Sequence, residues 1–209
     1  MIAIAVGLGY LVGSIPSAAW IARAAGIDLR NQGSQNPGAN NARALGGFRL
    51  AATVLLVEIA KGAAAVSIGS VVAGSTGASL AGIGALAGNI YNVWYRFDGG
   101  QGLGITAGIL LAGWPVWFPI VLIVIAGVTA VTRSTAKAAI AALASILLGA
   151  GIESIVEIPA AWGVGHPDVL FLAAGLIVLI APKQIEKLRV SQDPTVAGLD
   201  DEGHRPVVD

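Results

Sequence analysis

The chain opens on an uncharged apolar run. Ile2 to Ala22 carries no Asp, Glu, Lys or Arg, and about 20 such residues are enough for a helix to cross a bilayer. The run has no basic flank in front of it, so it reads as a retained helix rather than a signal peptide. Six further apolar segments follow, at about 49–73, 77–95, 102–114, 115–132, 137–151 and 168–181, the first reading as 2–25. Trp114-Pro115 separates the fourth from the fifth, because proline disfavours helix in the residue before it. Only 11% of the chain is charged and mean hydropathy is +0.79, against roughly 25% charge in soluble domains. These features predict an all-α integral membrane protein with seven transmembrane helices, a single membrane-embedded domain over 1–190 and a flexible polar tail over 191–209.

Charge placement predicts the orientation. The twelve basic residues are Arg23, Arg30, Arg43, Arg49, Lys61, Arg96, Arg133, Lys137, Lys183, Lys187, Arg189 and Arg205. With seven helices, eleven fall on one side and Lys61 lies within the second apolar run. The other side holds Glu153, Glu157 and Asp168 and no basic residue. The positive-inside rule then places the N-terminus outside and the C-terminus in the cytoplasm. An even helix number would scatter the basic loops over both faces.

Other features exclude function classes. Formal net charge is zero, which gives no argument for nucleic acid. With no cysteine there is no disulfide, thiol nucleophile or zinc–thiolate site. The two histidines, His166 and His204, lie outside the apolar segments and read as solvated loop residues. Glycine is abundant, 29 of 209 residues. Gly84 and Gly88 form a GxxxG in the third segment, a spacing that lets helix backbones approach closely. Glu58 and Lys61 lie three apart on one face of the second segment. Such a pair is either mutually neutralising or borders a polar cavity. No inverted repeat supports a transporter.

Three stretches can carry chemistry. Arg30–Arg49, "RNQGSQNPGANNARALGGFR", holds four Asn, two Gln, four Gly and three Arg between apolar runs. A loop that long is uncommon unless functional or disordered. In "RFDGGQGLGI", Gly99, Gly100, Gly102 and Gly104 lie at or just before the fourth helix, where backbone N–H groups can converge on an anion. The third stretch, "PKQIEKLRV" at Pro182–Val190, follows the last helix. Arg30 and Arg43 add positive charge suited to phosphate, and Ser34, Asn36 and Asn40 suit hydroxyls.

In order along the chain stand "GSIP" (13–16), "GIDLR" (26–30), "GSQNPGANNARALG" (33–46), "EIAKG" (58–62) and "FDGGQGLG" (97–104). Together they resemble the PlsY family of acyl-phosphate:glycerol-3-phosphate acyltransferases, over roughly residues 1–190. The resemblance implies a seven-helix bundle in the bacterial cell membrane with its active site on the cytoplasmic face. It implies transfer of a fatty acyl group from acyl phosphate to the 1-hydroxyl of glycerol 3-phosphate, giving lysophosphatidic acid for phospholipid synthesis, with no metal, other cofactor or acyl-CoA. Membrane lipid would be its surroundings and the two phosphates its substrates.

By the same resemblance Ser34 and Arg43 match a functionally important Ser and Arg, and Asn36, Gly38, Asn40 and Gly46 match the first motif. Gly99, Gly100 and Gly102 match the glycine loop with Gln101 at its lysine position, and Gln184 and Lys187 stand at the Asn and Arg positions of the third motif. The departures are Gln35 for Gly, a missing Thr before Asn40, Asn89 for His, Asn92 for Pro, Gln101 for Lys, Ile105 for Thr, Ala136 for Ser, Ala181 for His and Gln184 for Asn. Replacing the lysine removes one charge, worth roughly 1.5–3 kcal/mol in a charged hydrogen bond, or about ten- to hundred-fold in binding. Acyl phosphate is an activated donor whose own oxygens can take the hydroxyl proton, so positioning and charge stabilisation are the protein's main tasks. A divergent paralogue that binds a lipid or phosphorylated polyol without this transfer, or uses another acceptor, is the second reading.

Overall fold

A computed structural model describes residues 1–156, 164–165 and 167–192. Glu157, His166, His204, Arg205 and the tail beyond 192 lie outside the described residues. Every regular element described is helical: α1 (Ile2–Ser14), α2 (Ser17–Ala24), α3 (Ala39–Ile90), α4 (Leu103–Gly113), α5 (Phe118–Thr132), α6 (Thr135–Ile155) and α7 (Asp168–Gln192), with a one-turn 3₁₀ helix at Val93–Tyr95.

The first apolar run is not one helix. Pro16 has no N–H to donate and holds Ile15 in an extended conformation (ψ 120°), so α1 stops and α2 restarts at Ser17. A break inside a membrane frees carbonyls that water cannot reach. Two side chains satisfy them: Asn92 Nδ2 donates to Ser14 O at 2.8 Å and Lys61 Nζ donates to Ile15 O at 2.7 Å. Hydropathy averaged over the run does not register one proline among apolar neighbours.

α3 contains the second and third predicted segments. A straight helix of its 52 residues would be about 78 Å long, more than twice the roughly 30 Å hydrocarbon core. The backbone leaves the helical region at Gly47 and again at Ala73–Gly74, giving arms at 39–46, 48–72 and 75–90. Gly69 packs on Gly77 and Ala81, and Asn89 reaches Glu58 at 2.8 Å, so the two long arms form a hairpin. Gly74, at φ 65°, supplies the left-handed conformation that this reversal needs. The third arm ends at Ile90 rather than 95, because Asn92 instead caps the 3₁₀ turn by accepting from Trp94 N–H at 3.0 Å. The arm 39–46, expected as loop, is helical; its alanines favour helix and Gly38 precedes it as N-cap.

Among the described residues, four helical stretches are long and apolar enough to cross a membrane: Ile2–Ala24, Ala39–Tyr95, Thr135–Ile155 and Asp168–Val190. α4 and α5 are apolar but shorter, at 11 and 15 residues. α7 does not end at 181. It runs through Pro182 to Gln192, so the polar third stretch is the last turns of a helix rather than a loop. Hydropathy falls at that point while the hydrogen-bond ladder continues.

Small residues let the backbones touch. Gly9 and Gly13 of α1 lie against Ala81 and Ala85, while Gly84 and Gly88 lie against the α1 backbone at Val6 and Tyr10. Gly62 and Gly108 do the same between the 48–72 arm and α4, each facing a backbone carbonyl, of Ile105 and Ile59 respectively. Around these seams Leu86, Ile90, Ile105, Ile109, Ile146, Leu172, Leu176 and Ile180 form the buried core. The bundle has two recognisable ends. At one, Arg30 meets Asp98 and Lys187 meets Thr135. At the other, Thr76 and Ser79 meet Asp168 and Gly165 N–H donates to Ser75.

Candidate active site

The first polar stretch is folded around one side chain. Asn41, fully buried in the first turn of α3, accepts from Ser34 N–H at 3.1 Å and donates to Leu29 O at 3.0 Å and Gln32 O at 3.1 Å. Asp28 turns the start of the loop by accepting from Arg30 N–H at 3.0 Å and from the Asn31 amide at 2.8 Å. These two contacts, the Asn31 amide first, hold the Asp28 carboxyl below its ordinary value. It is therefore ionised wherever an ordinary aspartate is.

Arg30 ties this loop to the glycine loop. Its guanidinium donates to Asp98 O at 2.8 Å and Asp98 Oδ2 at 3.1 Å, and stacks 4.6 Å from the centre of the Tyr95 ring. The ion pair alone is half-open to solvent and contributes little; the ring and the backbone carbonyl fix its geometry. On the far side of Asp98 the loop is stitched to the end of α3, with Gly99 N–H donating to Ile90 O at 2.9 Å and Gly100 N–H to Asn89 O at 3.0 Å. There is no space for a side chain at Gly99, which lies on the Asn89 carbonyl. Gly102, at φ 79°, is the N-cap of α4. The first turn of that helix thus presents backbone N–H groups without intrahelical partners.

These elements enclose one end of a cavity of about 420 Å³. Its mouth is polar: Asn36, Gly38, Asn40, Glu58, Asn89 and Gly100–Gly102 line it. Its body is apolar, lined by Leu110 of α4, Val121 and Ile125 of α5, Ala139, Ala142, Leu143 and Ile146 of α6 and Ile180 of α7. Glu58 is the charged group at the mouth. Its Oε1 accepts from Ser17 Oγ at 2.7 Å and Lys61 Nζ at 3.0 Å, and its Oε2 from Asn89 Nδ2 at 2.8 Å. Both readings of the Glu58–Lys61 pair therefore hold in part. Glu58 borders a polar cavity, while Lys61 faces away and closes the α1–α2 break.

The sequence model of the glycerol-3-phosphate acyltransferase family matches residues 3–190. The chain belongs to this family. Glycerol-3-phosphate acyltransferases of Synechococcus sp. (strain JA-3-3Ab) and Nitrobacter winogradskyi are 36% identical over 195 residues and 37% over 190. These alignments cover 90% of each chain for the first, and 89% of this chain and 90% of the relative for the second. Among solved structures, PlsY, an integral membrane glycerol 3-phosphate acyltransferase, in its glycerol 3-phosphate form superposes with a TM-score of 0.75 at 26% identity, covering 90% of both chains. Its lysophosphatidic acid form gives 0.74 at 24% identity, again over 90% of both, and shows the shared fold. The protein is thus an integral membrane acyltransferase of this family.

Within that acyltransferase frame, the structure brings Asn36, Gly38, Asn40, Gly100, Gln101 and Gly102 to one cavity. Gly99 stands behind them, bonded to Ile90. Ser34 and Gln184 do not line the cavity, but they share a distinctive state: Ser34 Oγ and both amide atoms of Gln184 are buried without a hydrogen-bond partner among the described residues. Such atoms cost roughly 1–3 kcal/mol each and mark places where a polar ligand would be welcome. Lys187 donates to Thr135 Oγ1 at 3.1 Å, and Thr135 lines the cavity. Arg43 is exposed on the 39–46 arm, one turn from Asn40 and on the same side of the helix. Sequence reasoning missed Asn41 and Ser17, whereas the cavity-bordering alternative for Glu58 is the one its position at the mouth bears out.

Proposed function

We propose that the chain transfers a fatty acyl group from acyl phosphate to the 1-hydroxyl of glycerol 3-phosphate at this cavity, giving lysophosphatidic acid and inorganic phosphate. One observation carries the reading: in a member of the glycerol-3-phosphate acyltransferase family, a polar, glycine-rich mouth opens directly into an apolar channel between α4, α5 and α6. Such a cavity suits two molecules that are phosphorylated at one end, one of them carrying a long hydrocarbon chain.

The first turn of α4 and Gln101 bind the phosphate of glycerol 3-phosphate. Unpaired N–H groups and the positive end of the helix dipole favour an anion there. Asn36 and Asn40 take the glycerol hydroxyls. Arg43 and Lys187 supply positive charge near the mouth for the acyl phosphate group, and Ser34 and Gln184 are the buried polar groups that would answer it from outside the cavity lining. The hydroxyl oxygen forms a bond to the acyl carbon, the bond from that carbon to the phosphate oxygen breaks, and the departing phosphate takes the hydroxyl proton. No side-chain base is required.

The same reading gives the topology. Seven crossings follow when the two long arms of α3 and the short α4 and α5 each traverse once. The basic loop end then faces the cytoplasm and the N-terminus the outside. The test uses purified protein in detergent with palmitoyl phosphate and labelled glycerol 3-phosphate. Labelled lysophosphatidic acid is expected, falling at least ten-fold in Arg43→Ala. No product from folded protein would overturn the assignment in favour of a binding paralogue.

A further inference from the structure

The apolar body of the cavity has a measurable depth. Its lining runs along α6 from Thr135 at the mouth to Ile146, a rise of 11 residues, or about 16 Å. The antiparallel α5 gives the same span from Thr129 at the mouth to Phe118, again about 16 Å. Two helices therefore agree on where the channel stops. Its far end is Leu110, Phe118 and Ile146, and behind these lies a rigid support. Trp114 and Trp117 stack with ring centres 5.6 Å apart, and Trp117 Nε1 donates to Ser145 O at 2.9 Å. The Trp117 ring sits directly on Gly149, one turn past Ile146. A floor held by a stacked indole pair and a hydrogen bond does not yield to one more methylene.

We infer that Ala142 and Ile146 of α6 gauge the length of the donor's acyl chain, Ile146 as part of the floor and Ala142 as the small residue that keeps the channel open above it. This gauge rests on the acyl-transfer reading for its substrate. Carbon–carbon bonds of about 1.5 Å in a zigzag advance about 1.25 Å each, so 16 Å holds about 13 carbons. Dodecanoyl and myristoyl donors fill it. Ala142 lies seven residues beyond Thr135, about 10 Å along α6. A bulky side chain there would leave room for about eight carbons.

Two readouts separate the gauge from the chemistry. The first is kcat/KM for octanoyl, dodecanoyl, myristoyl and palmitoyl phosphate. The second is direct binding of the corresponding alkyl phosphates, which cannot donate an acyl group. Ala142→Leu is expected to move both optima to octanoyl, with the longer chains losing about four-fold per excluded methylene. Ile146→Ala is expected to move both the other way, raising palmitoyl relative to myristoyl. The opposite directions of the two shifts separate a gauge from general damage. Turnover with length profiles that superimpose on the unsubstituted protein would overturn the gauge and leave acyl transfer standing. No turnover from any donor, with alkyl phosphate optima that still move, would overturn acyl transfer and leave the gauge.

Discussion

Asn41 shows how much of the mouth rests on one amide. It joins three backbone groups from 29, 32 and 34, and so sets the path that brings Asn36 to the cavity mouth. Asn41→Ala leaves those groups without their partner, at roughly 1–3 kcal/mol for each that stays buried. The expected result is a melting temperature lowered by several degrees in detergent and a KM for glycerol 3-phosphate raised more than the KM for the acyl donor. Equal effects on the two KM values would mean that Asn41 supports the fold without shaping the acceptor site. Its role was not legible in the sequence. Asn36, Asn40 and Asn41 are chemically alike, and only their burial distinguishes a cavity-lining amide from one that staples a loop. Gln101 was legible because a glycine loop before a helix surrounds it. Gln184 entered the site list only through family resemblance, and it lies outside the cavity lining.

At the scale of elements, contact between backbones decides which helices sit together. Gly108 of α4 lies on the carbonyl of Ile59, leaving no room for a methyl group. Gly108→Ala must push α4 away from the 48–72 arm, and α4 carries at its start the turn that lines the cavity mouth. A loss of about 1–3 kcal/mol is expected, with activity falling alongside stability. Gly127 in α5 is the control, because nothing lies within 4 Å of its missing Cβ. Gly127→Ala is expected to hold or raise the melting temperature, since alanine is the better helix former. Parallel melting curves for the two variants would show that the α3–α4 seam does not depend on close approach. The Gly84–Gly88 seam could be read from spacing alone. The breaks at Pro16 and Gly47 could not, because hydropathy measures whether a segment prefers lipid and is silent on whether its hydrogen-bond ladder is continuous. For the same reason α7 extends well past the point where its sequence stops being apolar.

For the whole molecule, the distribution of charge and the position of the cavity make the same demand. Of the eleven lysines and arginines among the described residues, all but Lys61 lie at the end that carries the cavity mouth, while Glu153 and Asp168 lie toward the other. A mouth lined by Asn36, Asn40 and the start of α4 needs water-soluble glycerol 3-phosphate, and a basic rim draws such an anion toward it. The positive-inside rule predicts that this rim faces the cytoplasm. The natural absence of cysteine makes the orientation testable without background labelling. Asn31 and Ser154 are exposed at opposite ends. In intact cells a membrane-impermeant maleimide is expected to label Ser154→Cys and to spare Asn31→Cys until the membrane is permeabilised. Labelling in the reverse order would turn the bundle over, place the mouth away from the cytoplasm, and require an acceptor supplied from outside the cell.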